Sequence, residues 1–203
     1  MDVARRARFA HLPVMSDRDR LFAAPLPMLA TARFHLRPFV AGDAPALQAH
    51  LSDGRIAETT LTIPHPYPTG AAEEFISRHP EAWREGKRAT WAIAPREGES
   101  LLGAIGLSLT LAHHRGEVGY WVAVNEWGKG VATEVTKRVI AFAFDELGLH
   151  RVEAHHFIGN PASGRVMERA GMRVEGVLRG VVFRDGTPRD LALYAILRTD
   201  ERA

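Results

Sequence analysis

A glycine turn near the middle of the chain has the residue types and spacing of an anion-binding site. Gly128 and Gly130 stand between a β-strand pattern and a helix pattern that opens at about Lys129. The first N–H groups of a helix have no partner within it and carry a partial positive charge, and glycine lets a ligand approach the backbone closely. The turn could therefore bind a phosphate. A glycine before a helix is as often only a tight connection, so both interpretations stay open at this point.

Two common phosphate-binding motifs do not fit this turn. A Walker loop has a second glycine five positions before its Gly-Lys pair and a Ser or Thr after the Lys, and this chain has neither. A dinucleotide fingerprint has a third glycine where Thr133 stands, and an acidic residue at the end of a second strand. The turn is therefore neither a Walker loop nor a dinucleotide-binding loop.

A strand before the turn and a helix after it must position these glycines. Residues 117–124 alternate between one row of Val118, Tyr120, Val122 and Val124 and an opposite row of Glu117, Gly119, Trp121 and Ala123. Beyond the turn, apolar residues recur at helical spacing, at Val131, Val135, Val139 and Phe142. Gly148 is expected to end this helix.

The remaining patterns predict a mixed sheet. Strand patterns cover residues 33–39, 90–94, 101–111, 116–124, 151–157, 174–183 and 189–197, and further helix patterns cover 43–51, 70–86 and 160–171. Asp185-Gly186 is a strong hairpin signal between the last two strands. The two strands that flank the central helix are expected to be parallel. The predicted fold class is α+β, with a mostly antiparallel sheet and helices on both faces.

Composition and length narrow the protein class. The 203 residues include 46% hydrophobic and 25% charged residues, which is typical of a globular protein. We expect one domain at residues 31–203 and an N-terminal extension at residues 1–30, which lack periodicity. The absence of cysteine excludes disulfides, zinc–thiolate sites and a cysteine nucleophile. A net charge of +2 is too small to predict a nucleic-acid partner. No signal peptide or membrane-length apolar stretch is seen, so a cytoplasmic location and no membrane partner are predicted.

Three motifs occur in a fixed order, at residues 117–124, 127–134 and 160–172. Together they resemble the GNAT superfamily of acetyl-coenzyme A-dependent N-acetyltransferases. Within it they are most similar to the branch named for ribosomal-protein N-terminal acetyltransferases, the RimJ/RimL-like branch. Residues 33–39 and the proline-rich segment 63–68 also resemble that branch. The resemblance covers residues 31–198 and implies a GNAT-type sheet with one splayed pair of parallel strands.

The resemblance implies that acetyl-CoA is the cosubstrate. The superfamily's pyrophosphate loop falls on Trp127, Gly130 and Ala132, and Trp127 replaces the usual Gln or Arg, so a side-chain contact is lost while the backbone donors remain. The pantetheine arm would pair with the backbone near residues 121–124. Asn160 would bond the arm, and Ser163 would lie near the thioester sulfur. The predicted cofactor-binding residues are Trp121, Val122, Val124, Trp127, Gly128, Lys129, Gly130, Val131, Ala132, Thr133, Asn160 and Ser163.

The resemblance also suggests Glu117 and Ser163 as catalytic residues. Acetyl transfer to an amine requires removal of an amine proton, stabilisation of an oxyanion and departure of a thiolate. Glu117 stands where many members carry a base glutamate, acting directly or through water, and a salt-bridged structural glutamate is the alternative. Met167 occupies the place of the acid tyrosine of many relatives, so Ser163 is the expected substitute, or else it only bonds the helix backbone. Val182 occupies the place of a glutamate that some members of the branch use, and it cannot serve.

The predicted acceptor is a primary amine. A peptide or protein N-terminal amine is favoured, and a small amine such as an aminoglycoside, a polyamine or an amino acid is the alternative. A CoA-binding module without catalysis is the competing interpretation from another class. His65 and Tyr67 lie in the proline-rich segment, which three prolines hold extended, and they are candidate acceptor-binding residues or plain surface residues.

Two further expectations concern metals and self-association. The adjacent pairs His113-His114 and His155-His156 do not have metal-ligand spacing, so no metal site is predicted. The hairpin at residues 174–197 has long apolar strands and leaves an edge that a second copy could cover, so a homodimer is predicted.

Overall fold

The structure is a computed structural model, and it describes residues 17–200. Residues 1–16 of the predicted extension, with their arginines, and residues 201–203 lie outside the described part.

An eight-stranded sheet forms the centre of the described domain. Its strands are β1 (Leu29–Ala30), β2 (Phe34–Arg37), β3 (Arg88–Pro95), β4 (Gly103–Thr110), β5 (Arg115–Val122), β6 (Arg151–Phe157), β7 (Arg173–Arg184) and β8 (Thr187–Leu197). The spatial order is β1-β2-β3-β4-β5-β6-β8-β7. Neighbouring strands are antiparallel except for β5 and β6, which flank the central helix and are parallel. The predicted fold class is therefore confirmed.

Helices cover both faces of the sheet. They are α1 (Asp17–Ala23), α2 (Ala44–Leu51), α3 (Gly54–Thr59), α4 (Ala71–Ser77), α5 (His79–Arg84), α6 (Val131–Asp145) and α7 (Pro161–Arg169). On one face, Val118 and Val122 of β5 pack in a large core with α6 and α7. On the other face, Trp121 packs in a smaller core with α2 and α3. The alternation along β5 therefore assigns its two rows of side chains to two different cores.

The helical region before β3 differs from the prediction. The sequence pattern predicted one helix over residues 70–86, and the structure has two, α4 and α5, joined at Arg78. Pro80 explains the break, because it has no N–H to donate and its ring clashes with the carbonyl group one turn earlier. Helix α3 was not predicted either. It begins after Asp53, whose carboxylate accepts a hydrogen bond from the Arg55 N–H.

Residues 17–30 of the predicted extension pack on the domain. Phe22 of α1 and Leu29 of β1 are buried in the large core. Two buried indoles hold the connecting segment, since Trp83 Nε1 donates to the Ala24 carbonyl (2.9 Å) and Trp91 Nε1 donates to the Pro27 carbonyl (2.8 Å).

The parallel pair β5–β6 is short, and it creates the gap in which the candidate site lies. Pairing covers only Arg115 with Arg151, Gly116 with Val152 and Glu117 with Glu153. Beyond these residues β5 stays paired with β4 as far as Val122, and β6 stays paired with β8 as far as Phe157. β5 and β6 therefore separate after Glu117 and Glu153, while each of them stays paired with its other neighbour.

Candidate active site

The glycine turn before α6 has the backbone geometry of an anion-binding loop. Gly128 and Gly130 have φ angles of +77° and +79°, in the left-handed region that favours glycine, and Gly130 caps the helix. A Cβ atom at Gly128 would meet nothing within 4 Å, so the space beside the turn is open. The first N–H groups of a 15-residue helix therefore face an accessible surface.

Side chains from outside the turn hold it in place. The Glu134 carboxylate accepts from the Arg33 backbone N–H (2.9 Å) and from Arg33 Nε (2.7 Å), and Arg33 Nη1 donates to the Lys129 carbonyl (3.0 Å). Trp127 Nε1 donates to the carbonyl oxygen of Val122 at the end of β5 (2.7 Å). The indole that replaces the expected polar residue thus closes the turn onto the strand.

A cleft of about 260 Å³ lies beside this turn, and we call it the α7 cleft because α7 forms its far wall. Ten of the twelve predicted cofactor-binding residues line it: Trp121, Val122, Trp127, Gly128, Gly130, Val131, Ala132, Thr133, Asn160 and Ser163. The other two do not. Val124 packs against the smaller core, and the Lys129 ammonium pairs with Glu126 (3.1 Å).

Asn160 and Ser163 begin α7 at the edge of the cleft. Asn160 caps the helix, and its Oδ1 accepts a hydrogen bond from the Ser163 N–H (3.3 Å). The amide nitrogen of Asn160 remains as a donor that can point into the cleft. This placement is compatible with the predicted contact to an extended ligand.

A second cavity of about 460 Å³ lies on the other side of β5, between the sheet and residues 59–68, and we call it the roofed cavity. Its floor includes Arg88, Ser108, Glu117, His155 and Phe157. Its roof includes the segment from Thr59 to Pro64, together with Tyr67 and Pro68. Tyr67 lines the cavity as predicted, whereas His65 lies against Gly54 of α3 and is not among the lining residues.

Arg184, near the end of β7, holds the roof of the cavity. Its Nη1 donates to the carbonyl oxygens of Thr60 and Leu61 (both 2.8 Å), and its Nη2 donates to that of Ile63 (2.9 Å). From Thr60 onward the roof segment has no helix or strand, so its carbonyl groups need such partners. The hairpin of β7 and β8 therefore fixes a loop that is more than a hundred residues away in sequence.

Glu117 and His155 form a hydrogen-bonded pair on the cavity floor. His155 Nδ1 lies 3.2 Å from Glu117 Oε1, and because a carboxylate can only accept, Nδ1 carries the proton. This hydrogen bond is the main influence that lowers the pKa of Glu117, with help from the nearby charges of Arg88 and Arg115. The same bond raises the pKa of His155. Nε2 of His155 is left as the ring nitrogen that can accept a further proton.

Tyr120 and Ser163 form a second pair where the two cavities meet. The hydroxyl oxygens lie 2.8 Å apart, and either can donate. Burial raises the pKa of Tyr120 to about 12, so the phenol keeps its proton at neutral pH. The sequence pattern placed Tyr120 only in an apolar row of β5. Position 167 in α7 is therefore Met and not Tyr, but Tyr120 of β5 lies within hydrogen-bond distance of Ser163.

Four residues line both cavities: Thr59, Tyr120, Trp121 and Ser163. The junction lies at the gap between β5 and β6, with the glycine turn at Gly128 and Gly130 on one side and the Glu117–His155 pair on the other. The arrangement can hold a phosphate-bearing ligand in the α7 cleft and an amine in the roofed cavity, and bring their reacting ends together.

Within residues 17–200, no group of three or more His, Asp or Glu side chains is arranged to hold a metal ion. In the same part of the chain, no helix has the length and apolar character needed to cross a membrane.

Comparison with protein families gives a match over residues 33–173 to the acetyltransferase (GNAT) domain. The chain is 32% identical over 176 residues to the uncharacterized N-acetyltransferase YoaA of Bacillus subtilis (strain 168), covering 86% of this chain and 99% of that protein. It is 24% identical over 138 residues to the [ribosomal protein uS5]-alanine N-acetyltransferase of Escherichia coli (strain K12), covering 67% of this chain and 71% of the relative.

A solved structure supports the same assignment. The structure of Mycobacterium smegmatis RimJ in complex with CoA-disulfide is similar with a TM-score of 0.73 and 27% identity, covering 86% of each chain. The family match covers more than half of this chain. The chain's three motifs, at residues 117–124, 127–134 and 160–172, lie together around the gap between β5 and β6. The chain belongs to the GNAT acetyltransferase family and is an N-acetyltransferase.

Proposed function

We propose that this enzyme transfers the acetyl group of acetyl-CoA to the N-terminal amine of a peptide or protein. The observation that carries the proposal is the junction of the two cavities at Tyr120 and Ser163, between an anion-binding turn and a proton-accepting pair. The roofed cavity is open and large enough for the first residues of a peptide. The Escherichia coli relative is a [ribosomal protein uS5]-alanine N-acetyltransferase, which supports a protein acceptor.

Acetyl-CoA supplies the acetyl group as a thioester. The first N–H groups of α6 and the glycines at positions 128 and 130 would hold its pyrophosphate, and Asn160 would bond the pantetheine arm. The open space at Gly128 fits this assignment, because a phosphate must approach the backbone there. Ser163 lies at the inner end of the cleft, where the thioester must meet the amine.

The Glu117–His155 pair takes the amine proton in this proposal. A carboxylate with a lowered pKa is a weak base by itself, whereas an imidazole with a raised pKa is better matched to an amine near neutral pH. Glu117 holds the Nδ1 proton and so presents Nε2 to the acceptor. The charge of Glu117 also stabilises the imidazolium that forms.

The Tyr120–Ser163 pair returns a proton to the leaving group. Ser163 would donate to the thiolate, and the hydrogen bond between the two hydroxyls would let Tyr120 donate to Ser163 in the same step. A phenol with a pKa of about 12 stays protonated and can act as this donor. One bond from nitrogen to the acetyl carbon forms, one carbon–sulfur bond breaks, and each proton has a named carrier.

Self-association is part of the proposal. β7 is an edge strand of the sheet, and it exposes Val174, Val177, Val181 and Phe183. Exposed apolar side chains on a strand edge support a contact with a second copy.

The function test combines acceptor turnover with a variant of the anion-binding turn. Wild type is expected to release CoA with peptide acceptors, and to do so faster than with aminoglycosides or polyamines. Gly130→Asp places a carboxylate beside the phosphates, and acetyl-CoA binding should weaken by more than about 3 kcal/mol, or over ~100-fold, in calorimetric titration.

Gly70→Asp is the matched control, because Gly70 also has a positive φ angle (+83°) and caps a helix, and a side chain there would meet nothing within 4 Å. It should bind acetyl-CoA as wild type does. Equal affinity in a folded Gly130→Asp protein would contradict the phosphate assignment, and a preference for small amines would contradict the peptide acceptor.

The pH dependence of kcat/KM tests the base. The raised pKa of His155 means that the neutral, active imidazole is populated only as the pH rises through that value, so wild type should show an acidic limb shifted to higher pH than that of an unperturbed histidine. Glu117→Gln keeps a hydrogen-bond acceptor but removes the charge, so the pKa of His155 falls. The limb should move to lower pH, while the plateau drops by ~10²–10⁴.

Other charges near His155 remain in place during this experiment. Glu153 raises its pKa and Arg151 lowers it, and Arg88 and Arg115 lie near Glu117. Glu97→Gln, on an exposed loop, is the control. An unchanged rate and profile in Glu117→Gln would make Glu117 structural, and a limb that does not move would exclude His155 as the titrating group.

The two hydroxyls should behave as one unit. Tyr120→Phe and Ser163→Ala should each lower kcat by ~10-fold, about 1.4 kcal/mol, because thiolate is a good leaving group. The double variant should be no slower than either single one, and the acetyl-CoA Kd should stay the same. Tyr194→Phe is the control, since that hydroxyl bonds Glu168 (3.2 Å). Additive losses would mean that the hydroxyls act independently.

Light scattering at micromolar concentration tests the dimer. Wild type should have twice the mass of the 22.4 kDa chain. Val177→Lys and Phe183→Lys should shift it towards the monomer by adding repulsive charges to the edge. A species of one chain mass in wild type would contradict self-association under those conditions.

A further inference from the structure

We propose that the roofed cavity binds an acceptor with a carboxylate close to its amine, and that Arg88 holds that carboxylate. The inference rests on the proposed function, and it narrows the acceptor to peptides that have Asp or Glu in the first or second position.

Arg88 stands on the same row of the cavity floor as the proton-accepting pair. It opens β3 and pairs with Ser108 of β4, which pairs in turn with Glu117 of β5. Neighbouring strands lie ~4.8 Å apart, so Arg88 and Glu117 are separated by two such spacings. The Arg88 side chain crosses towards β4, where its Nη1 donates to Ser108 Oγ (2.7 Å). A group bound to the guanidinium would therefore lie ~5–10 Å from the amine.

The guanidinium is held in one orientation. Nε donates to Thr90 Oγ1 (3.2 Å), in addition to the bond from Nη1 to Ser108. The group lies over Gly106, where a Cβ atom would come within 2.6 Å of Nη2. Glycine at position 106 thus leaves the space that Arg88 occupies. A planar donor fixed in this way can bind a carboxylate without losing much side-chain entropy.

No carboxylate in the described part of the chain accepts a hydrogen bond from the Arg88 guanidinium, although the Glu117 charge acts on it across the cavity floor. Its two hydrogen-bond partners are neutral hydroxyls, and no ion pair joins it to an acidic residue within residues 17–200. The other arginine that lines the cavity, Arg78, faces Glu74 (3.6 Å). Glu117 instead accepts a hydrogen bond from His155 Nδ1 (3.2 Å).

The groups around Arg88 affect its charge and are affected by it. Burial lowers the pKa of Arg88, although the side chain is still reached by solvent through the cavity. Burial, together with the charges of Arg88 and Arg78, lowers the pKa of His79 to about 4, so that imidazole stays neutral at pH 7. The cavity therefore presents a fixed guanidinium with unused donors, two strand spacings away from Glu117. Such a site favours an anionic group and disfavours a polyamine.

Paired acceptors that differ only in charge test the inference. The probes are Asp-Ala-Ala-amide against Asn-Ala-Ala-amide, Ala-Asp-Ala-amide against Ala-Asn-Ala-amide, and free alanine against alaninamide. We expect wild type to favour the acidic member of at least one peptide pair by ~10- to 100-fold in kcat/KM, the range of a charge-assisted hydrogen bond, and mainly through KM. A preference confined to alanine over alaninamide would show that the carboxylate comes from a free amino acid instead.

Variants of Arg88 decide whether this residue causes the preference. Arg88→Gln should bring the acidic acceptor down to the level of its amide and change the amide acceptor by less than ~3-fold. Arg88→Lys should keep part of the preference, because it keeps the charge and loses the planar fork. Arg78→Gln is the matched control in the same cavity, and it should keep the preference.

Equal rates on the acidic and amide acceptors, or a preference that persists in Arg88→Gln, would overturn the inference while leaving acetyl transfer to peptides intact. If no probe is turned over, the proposed function fails, and binding then decides the inference separately. Calorimetry of acetyl-Asp-Ala-Ala-amide and its Asn counterpart, with CoA present, should still show tighter binding of the acidic peptide to wild type alone. Equal affinities would overturn it.

Discussion

The separation of β5 and β6 after Glu117 and Glu153 is the constraint on which the rest of the site depends. Each strand keeps its other neighbour, so the sheet is not broken, yet its centre opens between two cavities. The α7 cleft reaches this gap from the anion-binding turn, and the roofed cavity reaches it from the opposite face. A fully paired β5 and β6 would place a continuous sheet between the two cavities, and they would not meet at Tyr120 and Ser163.

The environments of two side-chain pairs give them opposite roles at this gap. His155 Nδ1 donates a hydrogen bond to the Glu117 carboxylate in an open cavity. This bond lowers the pKa of Glu117 and raises that of His155. Tyr120 and Ser163 share a hydrogen bond in a more enclosed place, where burial keeps the phenol protonated. One pair is therefore suited to accept a proton and the other to donate one. Arg88 adds a guanidinium that forms no hydrogen bond with either pair.

Much of the fold could be predicted from local patterns. The strand–glycine–helix sequence around Gly128 and Gly130, the alternation of β5 and the Asp185-Gly186 hairpin each depend on residues close together in the chain. Both hairpin residues have positive φ angles, 50° and 73°, as that turn requires. The ordered motifs predicted the family. Pro80 shows where helical periodicity misleads, because this residue has no backbone N–H and divides the predicted helix in two.

The chain's local sequence thus determined the family, the order of most strands and helices, the glycine turn and most of the residues that line the α7 cleft. Only the tertiary structure decided the partners of the chemical groups. Glu117 meets His155 across 38 residues, Tyr120 meets Ser163 across 43, and Arg184 holds the roof across as many as 124. The physical reason is that hydrogen bonds and pKa shifts depend on distances of a few ångströms between side chains, and such distances follow from how strands and helices pack and not from spacing along the chain.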